Sequence, residues 1–257
     1  MKGNRTVTVV IPMRNERMSV QPLLEKFVKA AEAWQTPHRI IVVDGNSSDG
    51  TADEVRCFTD RLPIDIVQLK DDVGLGGSLE AGLQRALVEA DVVVTMDGDD
   101  SHDPGTIPAL LARLDEGYDM VVASRFAPGG REIGVAAHRK ALSHVASAVL
   151  RLLFPVGTVQ DYSSGFRAYR AEALRSIAVK GRVVAETGFA CMLDILLRLR
   201  AQRCLAAEVP LVLRYDLKPS ESKMDVPRTV LRYLVLIARN WRTARPWGRP
   251  TEVRAAR

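Results

Sequence analysis

Cysteine is scarce in this 257-residue chain, and the three present, Cys57, Cys191 and Cys204, stand far apart with no C-x-x-C spacing. That pattern argues against a disulfide framework and a zinc knuckle, and points to a reduced, cytoplasmic setting. Long apolar runs are lacking too. The best stretch, Leu234 to Ala238, is short and flanked by Arg232 and Arg239, so neither a membrane-spanning segment nor a signal peptide is expected. The reading is a soluble chain or one peripheral to the inner face of a membrane. No Walker A lysine is present, and in Gly74-Leu75-Gly76-Gly77-Ser78-Leu79 a leucine stands where the third glycine of a dinucleotide fingerprint belongs. The cluster also follows the third expected strand instead of the first, which argues against a Rossmann dehydrogenase. Internal repeats and low-complexity segments are missing, and only the basic end, residues 243–257, reads as a disordered tail.

What remains is an ordinary globular composition, 47% hydrophobic and 26% charged, long enough for one large domain. A net charge of +5 suits an anionic partner, and charge alone does not choose among a phosphate, a membrane surface and a nucleic acid. The motifs favour the first two, and no nucleic-acid partner is expected.

Apolar runs alternate with helical patterns. Val7 to Pro12, Arg39 to Asp44, Ile64 to Lys70, Val92 to Asp97 and Met120 to Arg125 read as strands, and Ser19 to Ala33, Asp49 to Phe58, Gly77 to Glu89 and Pro104 to Glu116 as helices. The alternation predicts an α/β fold with a doubly wound, mostly parallel sheet, whose ligands gather at the carboxyl ends of the strands. Asp44, Asp97 and Asp99 fall there. In Met96-Asp97-Gly98-Asp99 two carboxylates are separated by one residue, and on an extended chain both would face one hard cation, Mg2+ or Mn2+, with Ser101 in the same alternation. A metal held by only one or two carboxylates wants phosphate ligands as well, so the pair suggests nucleotide-sugar chemistry. The glycines 74–77 suit either a purely structural turn or close approach to a phosphate or base at a helix N-terminus.

Taken together these pieces resemble family 2 glycosyltransferases of the GT-A fold, and within them the polyprenol-phosphate (dolichol-phosphate) mannosyltransferases. The likeness covers about residues 7 to 224 and rests on Val10-Ile11-Pro12 with Asn15-Glu16, Val42-Val43-Asp44 with Ser47-Ser48-Asp49-Gly50-Thr51, Gly74-Leu75-Gly76-Gly77, Met96-Asp97-Gly98-Asp99 with Ser101-His102-Asp103-Pro104, Ser124-Arg125-Phe126, Gly129-Gly130, Ser164-Gly165-Phe166-Arg167-Ala168-Tyr169-Arg170, Glu208-Val209-Pro210 and Glu221-Ser222-Lys223. It implies a GT-A domain over residues 1–224 and an inverting, metal-dependent transfer of a mannose- or glucose-type hexose, as from GDP-mannose, to a polyprenyl phosphate. It implies that Pro12, Arg14, Glu16, Asp44 and Gly77 line the nucleotide-sugar site. Asp97, Asp99 and Ser101 would serve the metal and diphosphate, and Lys223 would lie on a mobile loop over the donor phosphates. Arg125, Arg131, Arg139 and Ser143 would hold the acceptor phosphate, with Asp99, Arg125 and Arg139 central to catalysis. The chain departs from the pattern with Arg14 for a tyrosine, Gly45 for a second aspartate, Ser78 for an alanine and Asp194 for a glutamate. Residues 214–219 match poorly and leave no arginine assigned to the donor phosphates.

The residues themselves leave the acceptor open. A phosphate acceptor needs cations to approach an anionic donor, and Arg125, Arg131, Arg139, Lys140 and Arg167 favour it; an alcohol needs a carboxylate base, for which Asp161, Glu186 and Asp194 are candidates. A soluble small-molecule or natural-product acceptor is therefore the second reading. Nucleotidyl transfer and a non-catalytic binding module are further alternatives. His102 reads as part of a turn and cap leading to Pro104 at a first helical position. Two amphipathic stretches, Ala141 to Phe154 and a C-terminal helix within residues 225–242, punctuated by Arg139, Arg151, Arg228, Arg232 and Arg239, suit either an anionic lipid interface or packing on the core or a dimer partner. Oligomeric state is not legible.

Overall fold

The computed structural model describes residues 5–34, 38–219 and 223–243. Its strands are β1 (Val7–Met13), β2 (His38–Asp44), β3 (Ile64–Gln68), β4 (Val92–Thr95), β5 (Met120–Ser124), β6 (Arg131–Ile133), β7 (Arg167–Arg170), β8 (Ala206–Pro210) and β9 (Val212–Arg214). The helices are α1 (Arg17–Ala33), α2 (Thr51–Arg56), α3 (Gly74–Ala86), α4 (Ile107–Asp115), α5 (Ala137–Leu153), α6 (Ala171–Ser176), α7 (Cys191–Ala201) and α8 (Val226–Asn240). Seven strands form one sheet in the order β3-β2-β1-β4-β7-β5-β8, and β6 pairs with β9 in a small second sheet.

Alternation along the strands builds two cores. Val9 and Ile11 of β1, Ile40 and Val42 of β2 and Val94 of β4 point to one face, where Leu23, Phe27 and Leu110 of α1 and α4 cover them. Val10, Ile41, Val43 and Val93 point to the other, under Leu79 and Leu83 of α3 and Leu196 of α7. Each strand is thus apolar on both sides, which explains why its sequence reads as a run and not as an alternation. The expected doubly wound sheet is present, with one interruption. β7 runs antiparallel between β4 and β5.

The first crossovers carry the chain from β1 out to β2 and β3, and the next returns it to β4 on the other side of β1. A switch point therefore lies between the carboxyl ends of β1 and β4, where open sheets place their ligands. Residues 12–16 and 97–99 flank it.

Two local expectations are corrected. β4 ends at Thr95, so the acidic pair lies on a turn, in which Asp100 has a φ of 64°, and not on extended chain. Helix α3 begins at Gly74, three residues earlier than expected, because the Asp72 carboxylate accepts the Gly74 N–H at 3.0 Å and Gly74 adopts a φ of 69°. The cap expected ahead of Pro104 is present, made by Asp103, which accepts the Gly105 N–H at 2.9 Å, and Pro104 starts a short 3-10 turn ahead of α4. The tail expected over residues 243–257 falls, apart from Thr243, outside the described residues, as do Glu221 and Ser222.

Candidate active site

A cleft of about 1020 Å3 runs across the carboxyl ends of the strands. One wall is the loop after β1, where Pro12, Met13, Arg14 and Glu16 line the opening. The loop after β2 is stitched onto it: Ser47 Oγ accepts the Asn15 N–H at 2.9 Å, Thr51 Oγ1 accepts that of Glu16 at 2.9 Å, and the Ser48 N–H reaches Asn15 Oδ1 at 2.9 Å. These bonds hold Asn15 at a φ of 48° and aim Glu16 into the cleft. The serines and threonine of 47–51 are thereby accounted for as scaffolding. Asp44 belongs to the same scaffold; it is 3% exposed, accepts the Ser47 N–H at 3.3 and 3.4 Å, and is not among the residues lining the cleft. Arg14 reaches over to Asp72 at the rim.

The glycines of 74–77 resolve toward packing. A Cβ at Gly76 would stand 1.8 Å from the Glu186 carbonyl oxygen and one at Gly74 2.7 Å from that of Thr187, and the Gly76 N–H is given to Thr187 O at 2.7 Å. Only glycine admits the 186–188 segment so close. Gly77 lines the cleft.

Asp97 and Asp99 sit at the floor. Asp97 lies deep in the concave wall, yet 42% of its side-chain surface opens to the lumen. Burial pushes its carboxyl upward, His102 opposes this, and the neighbouring Asp99 charge adds to it. Asp99 is more enclosed, and both its oxygens are engaged. Oδ1 accepts from the Ser101 N–H at 3.1 Å and from the Ser101 hydroxyl, while Oδ2 lies 2.7 Å from Lys218 Nζ. Burial would raise the Asp99 carboxyl, but the Lys218 ammonium carries it below the usual carboxylate range. Ser101 is 2% exposed and orients Asp99. His102 is no helix cap. It stacks on Phe166, accepts the Asp97 N–H at Nδ1 over 3.2 Å, and turns Nε2 toward the Asp97 carboxylate at 3.9 Å.

Among the described residues no group of three or more His, Cys, Asp and Glu is arranged to hold a metal. The donor set still suits a hard divalent cation, because two carboxylates face one lumen and Asp97, raised chiefly by burial and further by the Asp99 charge, gains a counter-charge when a cation binds. The remaining ligands would come from phosphate oxygens and water.

The other end of the cleft is basic. Arg125, after β5, makes a two-point ion pair with Asp161, reaches Glu132 at 3.1 Å, and donates to Ser163 at 2.7 Å and Ser143 at 3.3 Å. Every nitrogen of its guanidinium has a partner. Arg139 and Ser143, one turn apart on α5, line the cleft, and Arg139 donates to the Tyr215 hydroxyl at 3.2 Å. Arg131 does not join them. Strand alternation on β6 puts Arg131 and Ile133 outside and Glu132 inside, against Arg125. Arg167 is wholly buried and serves the fold, donating to the carbonyls of Ser164, Met192 and Tyr162 at 2.7, 2.7 and 2.9 Å.

Of the carboxylates considered as bases, Asp161 is locked on Arg125, Asp194 is 3% exposed inside α7, and Glu186 pairs with Arg239 of α8 at 3.2 Å. Lys223 pairs with Glu16 and reaches Asn15 O at 3.2 Å. The residues that sequence reasoning missed are Lys218 and Glu132. A search for arginine passed over Lys218, although it stands three residues before Glu221 in the poorly matching segment; Arg214 there spends its guanidinium on Asp216 at 2.9 Å. Glu132 is found from the period-two pattern once β6 is known.

Comparison with known proteins fits this layout. The family described as Glycosyl transferase family 2 matches residues 8–178. The dolichol-phosphate mannosyltransferase of Pyrococcus furiosus is 30% identical over 229 residues, covering 89% of this chain and 61% of its own length. The chain thus spans less than two thirds of that relative. The polyprenol monophosphomannose synthase of Mycolicibacterium smegmatis is 34% identical over 82% of this chain and 78% of its own. Among solved structures, glucosyl-3-phosphoglycerate synthase from Mycobacterium tuberculosis with Mn2+, UDP and phosphoglyceric acid superposes with a TM-score of 0.67 at 22% identity, covering 93% of this chain and 79% of that one. The same enzyme with Mg2+ and UDP gives 0.65 at 21% identity, over 93% of this chain and 80% of that one. Those structures share the fold.

Proposed function

The chain belongs to glycosyl transferase family 2, and from that premise we propose that it transfers a hexose from a nucleotide diphosphate sugar to a polyprenyl phosphate. The nucleotide would lie against Pro12, Arg14, Glu16 and Gly77, with its diphosphate at Asp97, Asp99, Lys218 and Lys223. A divalent cation, when bound to Asp97 and Asp99, would offset the charge gathering on the departing diphosphate. Lys218 and Lys223 add fixed positive charge at the same place.

The observation that carries the acceptor assignment is the pairing of a cationic cleft end with outward apolar faces. Arg139 and Ser143 share α5 with Leu142, Val145, Val149 and Leu152, which are 43, 61, 44 and 57% exposed. Helix α8 exposes Val230, Leu231 and Leu234 by 41, 61 and 58%, and Trp241 just after it is 60% exposed. Leu142 and Val230 of these faces also line the cleft, so a lipid phosphate would enter head first with its chain against apolar surface. Arg and Lys beside such faces suit an anionic bilayer surface. No helix among the described residues is long and apolar enough to cross a membrane.

The chemistry then needs no base. An anionic phosphate oxygen of the acceptor attacks the anomeric carbon, the new carbon–oxygen bond forms on the face opposite the departing group, and the bond to the nucleoside diphosphate breaks. Arg139 would hold the attacking phosphate in line while Arg125, paired with Asp161, ties Ser143 of α5 to Ser163. The locked state of Asp161 and the burial of Asp194 support this over transfer to an alcohol. The test is incubation with GDP- and UDP-linked hexoses, Mn2+ and either a short-chain polyprenyl phosphate, the corresponding alcohol or phosphoglycerate, with products read by mass spectrometry. Lipid-phosphate product supports the proposal; product on phosphoglycerate or the alcohol alone refutes it.

A further inference from the structure

Asp99 is one of the two carboxylates proposed to meet a cation, and Lys218 already stands on its Oδ2 at 2.7 Å. The side chains are 10 and 11% exposed. Lys218 also faces the Tyr215 ring, 5.4 Å from its centroid, and that tyrosine's hydroxyl accepts from Arg139. The ammonium is therefore enclosed by Asp99 and an aromatic face. We propose that Lys218 is a built-in counter-cation, which must leave Asp99 before a divalent metal can bind there and which finds its second partner only when a nucleotide diphosphate occupies the same cleft.

Lys218 acts in this way only with the metal and nucleotide bound as proposed above, and the charge left unpaired decides the outcome. Asp99 Oδ1 is committed to Ser101, so an entering metal takes Oδ2. A cation and an ammonium on one oxygen repel each other, and the ammonium must move. If the metal arrives alone, a mostly buried lysine loses its carboxylate, and Glu16, the other carboxylate acting on it among the described residues, is already paired with Lys223, so the exchange is unfavourable for a buried charge. When a diphosphate arrives with the metal, the displaced ammonium gains anionic oxygens within the same cleft. Metal and nucleotide therefore help each other through the lysine, over and above any bond between them, and by linkage the effect is reciprocal. A donor bound without metal meets a lysine still held by Asp99, so the phosphates lose a cation until the metal releases it. Lysine suits this exchange, being a point charge on a flexible stem.

The experiment measures Mn2+ binding directly, by electron paramagnetic resonance of free Mn2+, to the wild type and Lys218→Met, alone and with saturating GDP or UDP. For Mn2+ alone we expect Lys218→Met to bind at least tenfold more tightly than the wild type, and the gain in Mn2+ affinity that nucleotide brings to shrink by a similar factor. Equal or weaker binding of Mn2+ alone by a folded Lys218→Met overturns the inference. A second measurement needs no variant: lysine labelling by formaldehyde and cyanoborohydride, read by mass spectrometry on the full chain. Mg2+ alone should raise labelling of Lys218 severalfold and GDP or UDP added with it should suppress labelling again, whereas labelling indifferent to Mg2+ overturns the inference. Wild type and variant that bind Mn2+ equally refute this inference alone. No Mn2+ binding by either protein, with GDP or with UDP, refutes the metal site and this inference together.

Discussion

Arg125 and Asp161 meet through two parallel contacts, Nε to Oδ2 and Nη2 to Oδ1, each 2.7 Å, with the aspartate wholly buried. Such a pair resists the loss of either partner, because the survivor is left charged and dry. Asp161→Asn is expected to destabilise the fold by about 3–5 kcal/mol, read by urea unfolding.

The same pair sets a pH dependence. Burial raises the Asp161 carboxyl, but Arg125 and the N–H groups aimed at it bring the net value below the ordinary 3.8. A carboxyl lower in the folded chain than in the unfolded one stabilises fully above the unfolded value, and that stabilisation disappears as pH falls through the folded one. The wild type should therefore lose more stability than Asp161→Asn on acidification below 3.8. Parallel acid-unfolding curves would contradict the pairing.

Glu132 separates the two acceptor chemistries. It shares Arg125 with Asp161 and faces the cleft. If the acceptor is a phosphate, Glu132→Gln removes a competing anion, and acceptor KM should fall or stay level with kcat nearly unchanged. If an alcohol is used and Glu132 takes its proton, kcat should drop by about a hundredfold or more.

Asp99→Asn keeps the shape of the floor while removing the charge that Lys218 and a cation share. Turnover should fall by about a hundredfold or more, the scale of losing electrostatic stabilisation of a leaving group. Full activity in the variant, resistant to chelator, would remove the cation from the account.

Gly76 tests the packing reading of the glycine cluster. Gly76→Ala places a Cβ 1.8 Å from the Glu186 carbonyl oxygen, so backbone must move. A loss of about 1–3 kcal/mol or more is expected. Unchanged stability with weakened nucleotide binding would instead return the glycines to a ligand-facing role.

The outer frame was legible because β1 to β5 are apolar on both faces and broken by turn residues, and because helix patterns stand between them. β7 was not read as a strand. Arg-Ala-Tyr-Arg carries a charge into the core, and only the carbonyls of Ser164, Met192 and Tyr162, distant or unremarkable in sequence, make Arg167 tolerable there. The site was legible where one short motif contributes adjacent side chains, as at Asp97 and Asp99. It was less so where alternation on an unrecognised strand chose between neighbours, Glu132 facing in and Arg131 out. Asp44 was named from its place at a strand end and from the family resemblance, and the hydrogen bonds that its carboxylate accepts from the Ser47 N–H were not legible in the sequence. Lys218 lay in the segment 214–219 that matches the expected pattern poorly, and its meaning appears only beside Asp99.

The central claim, that a phosphate-bearing lipid is held at Arg139, is tested most directly by acceptor kinetics of Arg139→Ala and Arg139→Lys against the wild type, using a short-chain polyprenyl phosphate and the same lipid as a free alcohol. The planar guanidinium makes two hydrogen bonds to one phosphate and an ammonium does not, so Arg139→Lys should recover only part of the rate that Arg139→Ala loses, with donor affinity unchanged in both. Wild-type transfer to the alcohol alone, indifferent to Arg139→Ala, would contradict the account.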